Sequence, residues 1–338
     1  MTSDKPSPWP QVAAVVGLLS VIISVLLTAF AWPAVRSSVH DIPIAVAGPA
    51  PAVQQVTAAL EQRVPGGFEI TAVADTAAAE QLIRDRAVYG AIDLSTGAPQ
   101  VITASAASAP VTQTLTALGA ALGQGGEQGG KAVRDLVALP SDDPRGAGLA
   151  AGALPLVLGG ILAAALLTAR LRGIGRKVVA ACAFAVTGGL AMAAILQFWL
   201  GSLNGDYLAN AGAIALSIGA TALTLLGLES LLGAAGLGLG AALMMLVGNP
   251  LSGVSTAPEM LPGWSGVLGG FLPPGAGGSL LRSTAFFDGA GATQPVIVLL
   301  CWLAVGALLC LAAGLRARRR PLPAPAGAAA RESTPATV

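Results

Sequence analysis

Pro10–Val35 reads PQVAAVVGLLSVIISVLLTAFAWPAV and carries no charge. A helix rises about 1.5 Å per residue, so about 20 apolar residues cross a hydrocarbon core about 30 Å thick. Val12–Ala31 is the natural span within this run. Ala29-Phe30-Ala31 resembles the cleavage site of a signal peptide, but the apolar region exceeds the usual length of about 7–15 residues. Its only basic flank is Lys5, so the run reads as an anchor that stays.

The same reading finds five more spans: Gly146–Ala169, Val178–Leu200, Ala209–Leu228, Ser230–Val247 and Val296–Leu315, with a tight turn at Glu229 between the fourth and fifth. Backbone amides in lipid need internal partners, which makes each a helix. Composition agrees, because the chain is 54% hydrophobic and 10% charged, against about 25% charged in a typical soluble domain. Arg far outnumbers Lys, and Ala, Gly and Pro abound, the bias of a GC-rich bacterial genome and so of a bacterial plasma membrane. Cys182, Cys301 and Cys310 all fall in apolar runs, leaving no disulfide framework for any exported part.

Lys and Arg near helix ends set orientation. Six spans with both termini inside put Lys5, Arg170, Arg172, Arg176, Lys177, Arg316, Arg318, Arg319, Arg320 and Arg331 in the cytoplasm, against only Asp4, Glu229 and Glu332. Residues 36–145 then form an extracytoplasmic domain. Ile42–Ala47, Phe68–Val73, Val88–Leu94 and Gln100–Ala104 read as strands. Val53, Val56, Leu60 and Val64 recur at helical spacing, Asp75 can cap a helix bearing Ala79, Leu82 and Ile83, and Val111–Leu122 is helical. Strands separated by helices give a small α/β unit. The glycine-rich stretch 123–130 interrupts the following helix as a flexible loop, and Ser141-Asp142-Asp143-Pro144 starts the second span, with Pro144 as its first helical residue.

Residues 249–293 are apolar yet broken, with Pro250, Pro258, Pro262, Pro273 and Pro274 and only Glu259, Arg282 and Asp288 as charges. A re-entrant helical hairpin at the outer surface explains both properties, with Trp264 and Phe286-Phe287 at interfacial depth. Residues 294–316 hold the sixth span, and 317–338 form a basic, then Pro/Ala-rich, disordered tail.

This layout resembles the permease subunits of type-2 ABC transporters, nearest to phage-infection-protein-like membrane proteins. The likeness is carried by Ile42-Pro43-Ile44-Ala45-Val46, by Arg86-Ala87-Val88-Tyr89-Gly90-Ala91-Ile92, by Asn249-Pro250 through Pro273-Pro274, and by Leu280-Leu281-Arg282. It implies a homodimer that works with a separate cytoplasmic ATPase to export a hydrophobic or amphipathic substrate. The alternative is a non-transporting scaffold or surface receptor whose outer domain binds a partner. Arg170, Arg172, Arg176 and Lys177 are the candidate ATPase-docking loop, although about eight residues is short for that role. Pro250, Pro258, Glu259, Pro262, Pro273, Pro274 and Arg282 are the candidate gate. Gly236 and Gly240 form a G-x-x-x-G pair suited to close helix packing.

Other chemistry is disfavoured. His40 is the only histidine, which leaves no His-based metal site or triad. The spans lack the buried acids and bases of ion-coupled carriers, offering Gln197, Asn210 and hydroxyls. Glu229, at a turn, suits a solvated or capping role. No cofactor, nucleic acid or catalytic centre is expected. Gly125–Lys131 matches the spacing of a phosphate loop, but Ala132 stands where Mg²⁺ needs a hydroxyl. The purified chain is therefore expected to show no ATP turnover; hydrolysis abolished by Lys131→Ala would contradict this.

Overall fold

The computed structural model describes residues 7–95, 99–123 and 133–318. The glycine loop with Lys131 and the basic tail from Arg319 lie outside the described residues. The opening run forms α1 (Trp9–Arg36). An α/β domain comes next, in the order β1 (Ile42–Ala47), α2 (Ala50–Arg63), β2 (Phe68–Val73), α3 (Thr76–Arg84), β3 (Gly90–Asp93), β4 (Gln100–Thr103), α4 (Ala109–Gly123) and β5 (Val133–Asp135). The sheet order is β2-β1-β3-β4-β5, with β1 parallel to β2 and β3, β4 antiparallel to β3, and β5 parallel to β4.

Period-two alternation sends β1 side chains to two cores. Ile42, Ile44 and Val46 pack with Val53 and Leu60 of α2 and Val111 and Leu115 of α4. Ala45 and Ala47 pack on the other face with Ala79 and Ile83 of α3. Asp75 caps α3, accepting from Ala78 N at 2.9 Å. No helix resumes beyond the glycine loop: residues 133–135 pair with β4 instead, because its Val101–Thr103 edge offers unpaired backbone groups.

The remaining elements are α5 (Ala147–Arg170), α6 (Ile174–Ala194, continued by a π-helical turn to Trp199), α7 (Tyr207–Leu232), α8 (Ala234–Ala242, continued by a π-helical turn to Gly248), a 3-10 turn (Pro258–Met260), α9 (Ser265–Gly270), α10 (Pro273–Phe286) and α11 (Thr293–Arg318). Five helices are long and apolar enough to cross a membrane: α1, α5, α6 with its π turn, α7 and α11. With the small mixed sheet, this is the architecture of a polytopic helical membrane protein.

Three sequence expectations shift. The chain does not turn at Glu229. Helix α7 runs three residues further and breaks at Gly233, whose φ of +68° suits glycine. Past that break, α8 has only nine residues of α-helix and six of π-helix, shorter than a standard span. Second, α5 starts at Ala147 rather than at Pro144, because left-handed Gly146 precedes it and Asp143 accepts from Ala147 N and Gly148 N at 2.8 and 2.6 Å. Third, Phe287 is buried in the α/β domain core instead of lying at a lipid interface, while Trp264 is exposed.

Helix α7 is the hub, with 78% of its apolar window buried against 0% for α1. Its neighbours approach through small residues. A Cβ on Gly306 of α11 would lie 2.5 Å from the Leu223 carbonyl carbon and Thr224 nitrogen of α7, and Thr224 Oγ1 donates to Trp302 O at 3.0 Å. At one end of α7, Asn210 Nδ2 donates to Gln197 Oε1 and Asn204 O, and Thr284 Oγ1 donates to Asn210 Oδ1. At its other end, Lys177 Nζ meets Glu229 Oε2 at 3.0 Å. Gly306→Leu should destabilise the bundle by about 1–3 kcal/mol through overpacking, read as a lower thermal midpoint in detergent. Gly212→Ala, with open space around its Cα, should leave the midpoint unchanged.

Candidate functional site

The connection from α3 to β3 holds the groups that fasten the α/β domain to the segment between α8 and α11. Arg86 sits there with φ +60°, a conformation costing a non-glycine residue about 1–3 kcal/mol unless its surroundings hold it. They do. Arg86 Nη1 donates to Ser279 O at 3.1 Å and to Ser283 Oγ, both on α10. Its guanidinium carbon lies 5.4 Å from the centre of the Phe287 ring, within cation–π range. Three residues on, Tyr89 OH donates to Glu259 Oε2 at 2.7 Å. Burial, then the Glu259 charge, hold the Tyr89 phenol above its usual range. Burial also lowers Arg86 from its ordinary value.

Apolar contacts run alongside. Phe287 enters the core around Ala45, Ala91 and Ile102, while Ala257, with Met260 packed beside it, enters the core around Ile44 and Ile92. Both faces of the sheet are thus completed by residues from outside the domain. Ser38 N donates to Met260 O at 3.0 Å, tying the exit of α1 to the same segment.

The candidate gate residues converge on this region. Pro258 opens the 3-10 turn bearing Glu259, and Pro273 and Pro274 open α10, positions where a missing N–H costs no helix bond. Pro274 packs against Gly248. Pro262 O accepts from Ser265 N and Ser265 Oγ, and Pro250 lies in the turn after α8. Arg282 is buried, and its Nη2 donates to Val254 O at 2.6 Å. Among the described residues, ion pairs join Glu80 to Arg84 and Arg134, and Lys177 to Glu229; neither Glu259 nor Arg282 is in one.

The candidate docking residues lie at the opposite end. Arg170 ends α5, Arg172 lies in the turn, and Arg176 is in the first turn of α6, all exposed. Lys177 instead turns inward to Glu229, so that carboxylate is paired rather than merely solvated. Gly236 and Gly240 face α7 within the chain: a Cβ on the first would overlap the Leu228 carbonyl, and one on the second Leu225.

Sequence reasoning missed Arg86, Tyr89 and Phe287 as contacts. The signal for the first two was an Arg and a Tyr in a short helix-to-strand connection, and Phe287 read as an interfacial residue instead. It also missed Asp93, which is fully buried and accepts from Thr76 Oγ1 at 2.6 Å and Ser95 N at 2.9 Å. Burial pushes its pKa up, but hydrogen bonds from Ser95 and Thr76 outweigh that and lower it.

No family model, curated protein or solved structure matches the chain.

Arg86→Gln should weaken docking of the α/β domain by about 1.5–3 kcal/mol, the usual worth of hydrogen bonds to a charged group. Hydrogen exchange in β3 and α10 should quicken, whereas Arg84→Gln, at an exposed pair, should change it little. Because the Tyr89 pKa is raised, its contribution is fully present below the ordinary phenol value of about 10 and fades as pH climbs towards the raised value. Tyr89→Phe should abolish that alkaline loss.

Proposed function

We propose that the chain is the permease-like membrane subunit of a type-2 ABC exporter in a bacterial plasma membrane, with six spans, both termini cytoplasmic, and the α/β domain outside. The observation that carries this reading is the broken, apolar segment locked between the α/β domain and the bundle, at the end away from the basic turn. A segment so placed can open or close an outward path while the domain reports its position. The order of elements fits the family resemblance.

Helix α8 serves as the fifth span in this reading. It starts at Gly233, near the Lys177–Glu229 pair, and ends with Gly248 packed on Pro274 at the start of α10, beside the middle of α7. The irregular stretch that follows, up to Ala257 in the α/β domain core, completes the crossing, its backbone covered by protein. Exposed Arg170, Arg172 and Arg176 provide the surface for a separate ATPase. The homodimer follows from the resemblance and is supported by α1, whose apolar surface the rest of the chain leaves uncovered.

The tight turn between α5 and α6, residues 171–173, favours a second reading: a non-transporting scaffold or receptor whose α/β domain binds a partner at the cell surface. Affinity purification from native membranes separates the two. An exporter subunit should bring down a nucleotide-hydrolysing protein, and Arg170→Glu with Arg172→Glu and Arg176→Glu should release it. Capture that survives these changes, or none, would argue against export. Cysteines at Gly97 and Gly175 should label from outside and inside respectively.

A further inference from the structure

A cavity of about 90 Å³ lies where the α/β domain, the start of α5 and the segment before α9 meet; Ser105, Ser108, Arg145, Ser255, Thr256 and Arg282 border it. Its ionisable side chains are both arginines. Arg282 is 7% exposed. A guanidinium carries five N–H donors, yet among the described residues Arg282 makes one hydrogen bond, to Val254 O, and its buried Nε has no partner. A buried cation without a counter-ion is costly. Of the acids nearby, Glu259 accepts from the Tyr89 hydroxyl and acts on Arg282 only from a distance, without an ion pair, and Asp143 accepts from the first N–H groups of α5.

We propose that this cavity binds a phosphate-type oxyanion, with Arg282 at its base, exposed Arg145 at its mouth, and serine hydroxyls between them. Ser105 Oγ accepts from Leu139 N and Ser108 Oγ from Val111 N, so each O–H proton remains available for an anion. A water needs about 10–15 Å³ of such space. The cavity therefore admits one oxyanion group and excludes a whole lipid. The phosphate is either a free ion or the head of a phospholipid whose tails stay outside. The site goes beyond the export reading and does not depend on it.

The test uses the full-length chain in detergent. If the source is solute, inorganic phosphate should raise the thermal midpoint of delipidated protein saturably, and Arg145→Gln should weaken that response at least about tenfold, as loss of a charge contact does, without changing the unliganded midpoint. If the source is lipid, a stoichiometric phospholipid should survive mild delipidation, detected by native mass spectrometry, and Arg145→Gln should release it. Arg282→Gln should abolish either signal; should that variant fail to fold, Arg145→Gln decides alone. Absence of both a saturable phosphate response and a retained phospholipid would overturn the proposal. So would binding that the Arg145 change leaves intact.

Discussion

The α/β domain does not close its own cores, and the rest of the molecule is arranged around that constraint. Its sheet is small, and one face is covered chiefly by the nine-residue α3. Phe287 fills what α3 leaves open, while Ala257 and Met260 do the same on the opposite face. Fully burying such a side chain contributes about 1.5–3 kcal/mol. The domain therefore gains stability from the membrane-side segment, and the segment gains fixed partners in return. That exchange explains how five prolines and a run of apolar side chains persist without one continuous helix: the breaks are covered by the sheet domain on one side and by α7 and α11 on the other. Trp302 Nε1, donating to Phe271 O at 2.8 Å, closes the α11 side.

Inside the bundle the governing requirement is different. Lipid gives helices no hydrophobic reason to associate, so packing depends on close approach and on interhelical hydrogen bonds. Helix α7 meets both conditions. Its contacts with α8 and α11 run through glycines, and its buried polar groups are paired at intervals along its length, at Asn210, Thr224 and Glu229. The Lys177–Glu229 pair lies in the last turns of α7, where its loss would leave a half-buried charge without a partner.

Apolar length and turn chemistry were legible in the sequence. Three of the five long helices include all of the spans read there, α5 begins one residue after the Gly146 read as its start, and β1 and β2 coincide with the stretches quoted for them. The third-span reading ran one residue past Trp199, into the loop. What escaped the sequence was long-range. Nothing in residues 133–135 announces a strand, because its partner is β4 across an intervening helix, and no periodicity fits in three residues. Glu229 looked like a turn because it was the only charge in its run; its partner, Lys177, is 52 positions away. The pairing of Tyr89 with Glu259 spans 170 positions, and a family-like stretch around Arg86 gave no hint that its side chain belonged to α10.

Much of the irregular backbone collects at the α/β-domain end of the molecule. The π-helical turn at Ile195–Trp199 lies there, and Arg86 and Asp288 hold left-handed conformations there, while the turn at Leu243–Gly248 lies within the bundle against Pro274. At the opposite end the chain breaks at glycines, Gly173 between α5 and α6 and Gly233 after α7, both with positive φ. π-Helical turns and strained residues persist where surrounding contacts compensate for them, often at functional positions. For Arg86 the compensation comes from Ser279, Ser283 and the Phe287 ring. Since the clamp formed by Arg86, Tyr89 and Phe287 grips both faces of the sheet through one segment, a shift of α10 cannot leave the domain behind unless the charge-assisted bonds and the buried ring are lost together. The sheet domain and the broken segment are therefore held as one unit, and the Thr284 hydroxyl on Asn210 Oδ1 fastens that unit to α7.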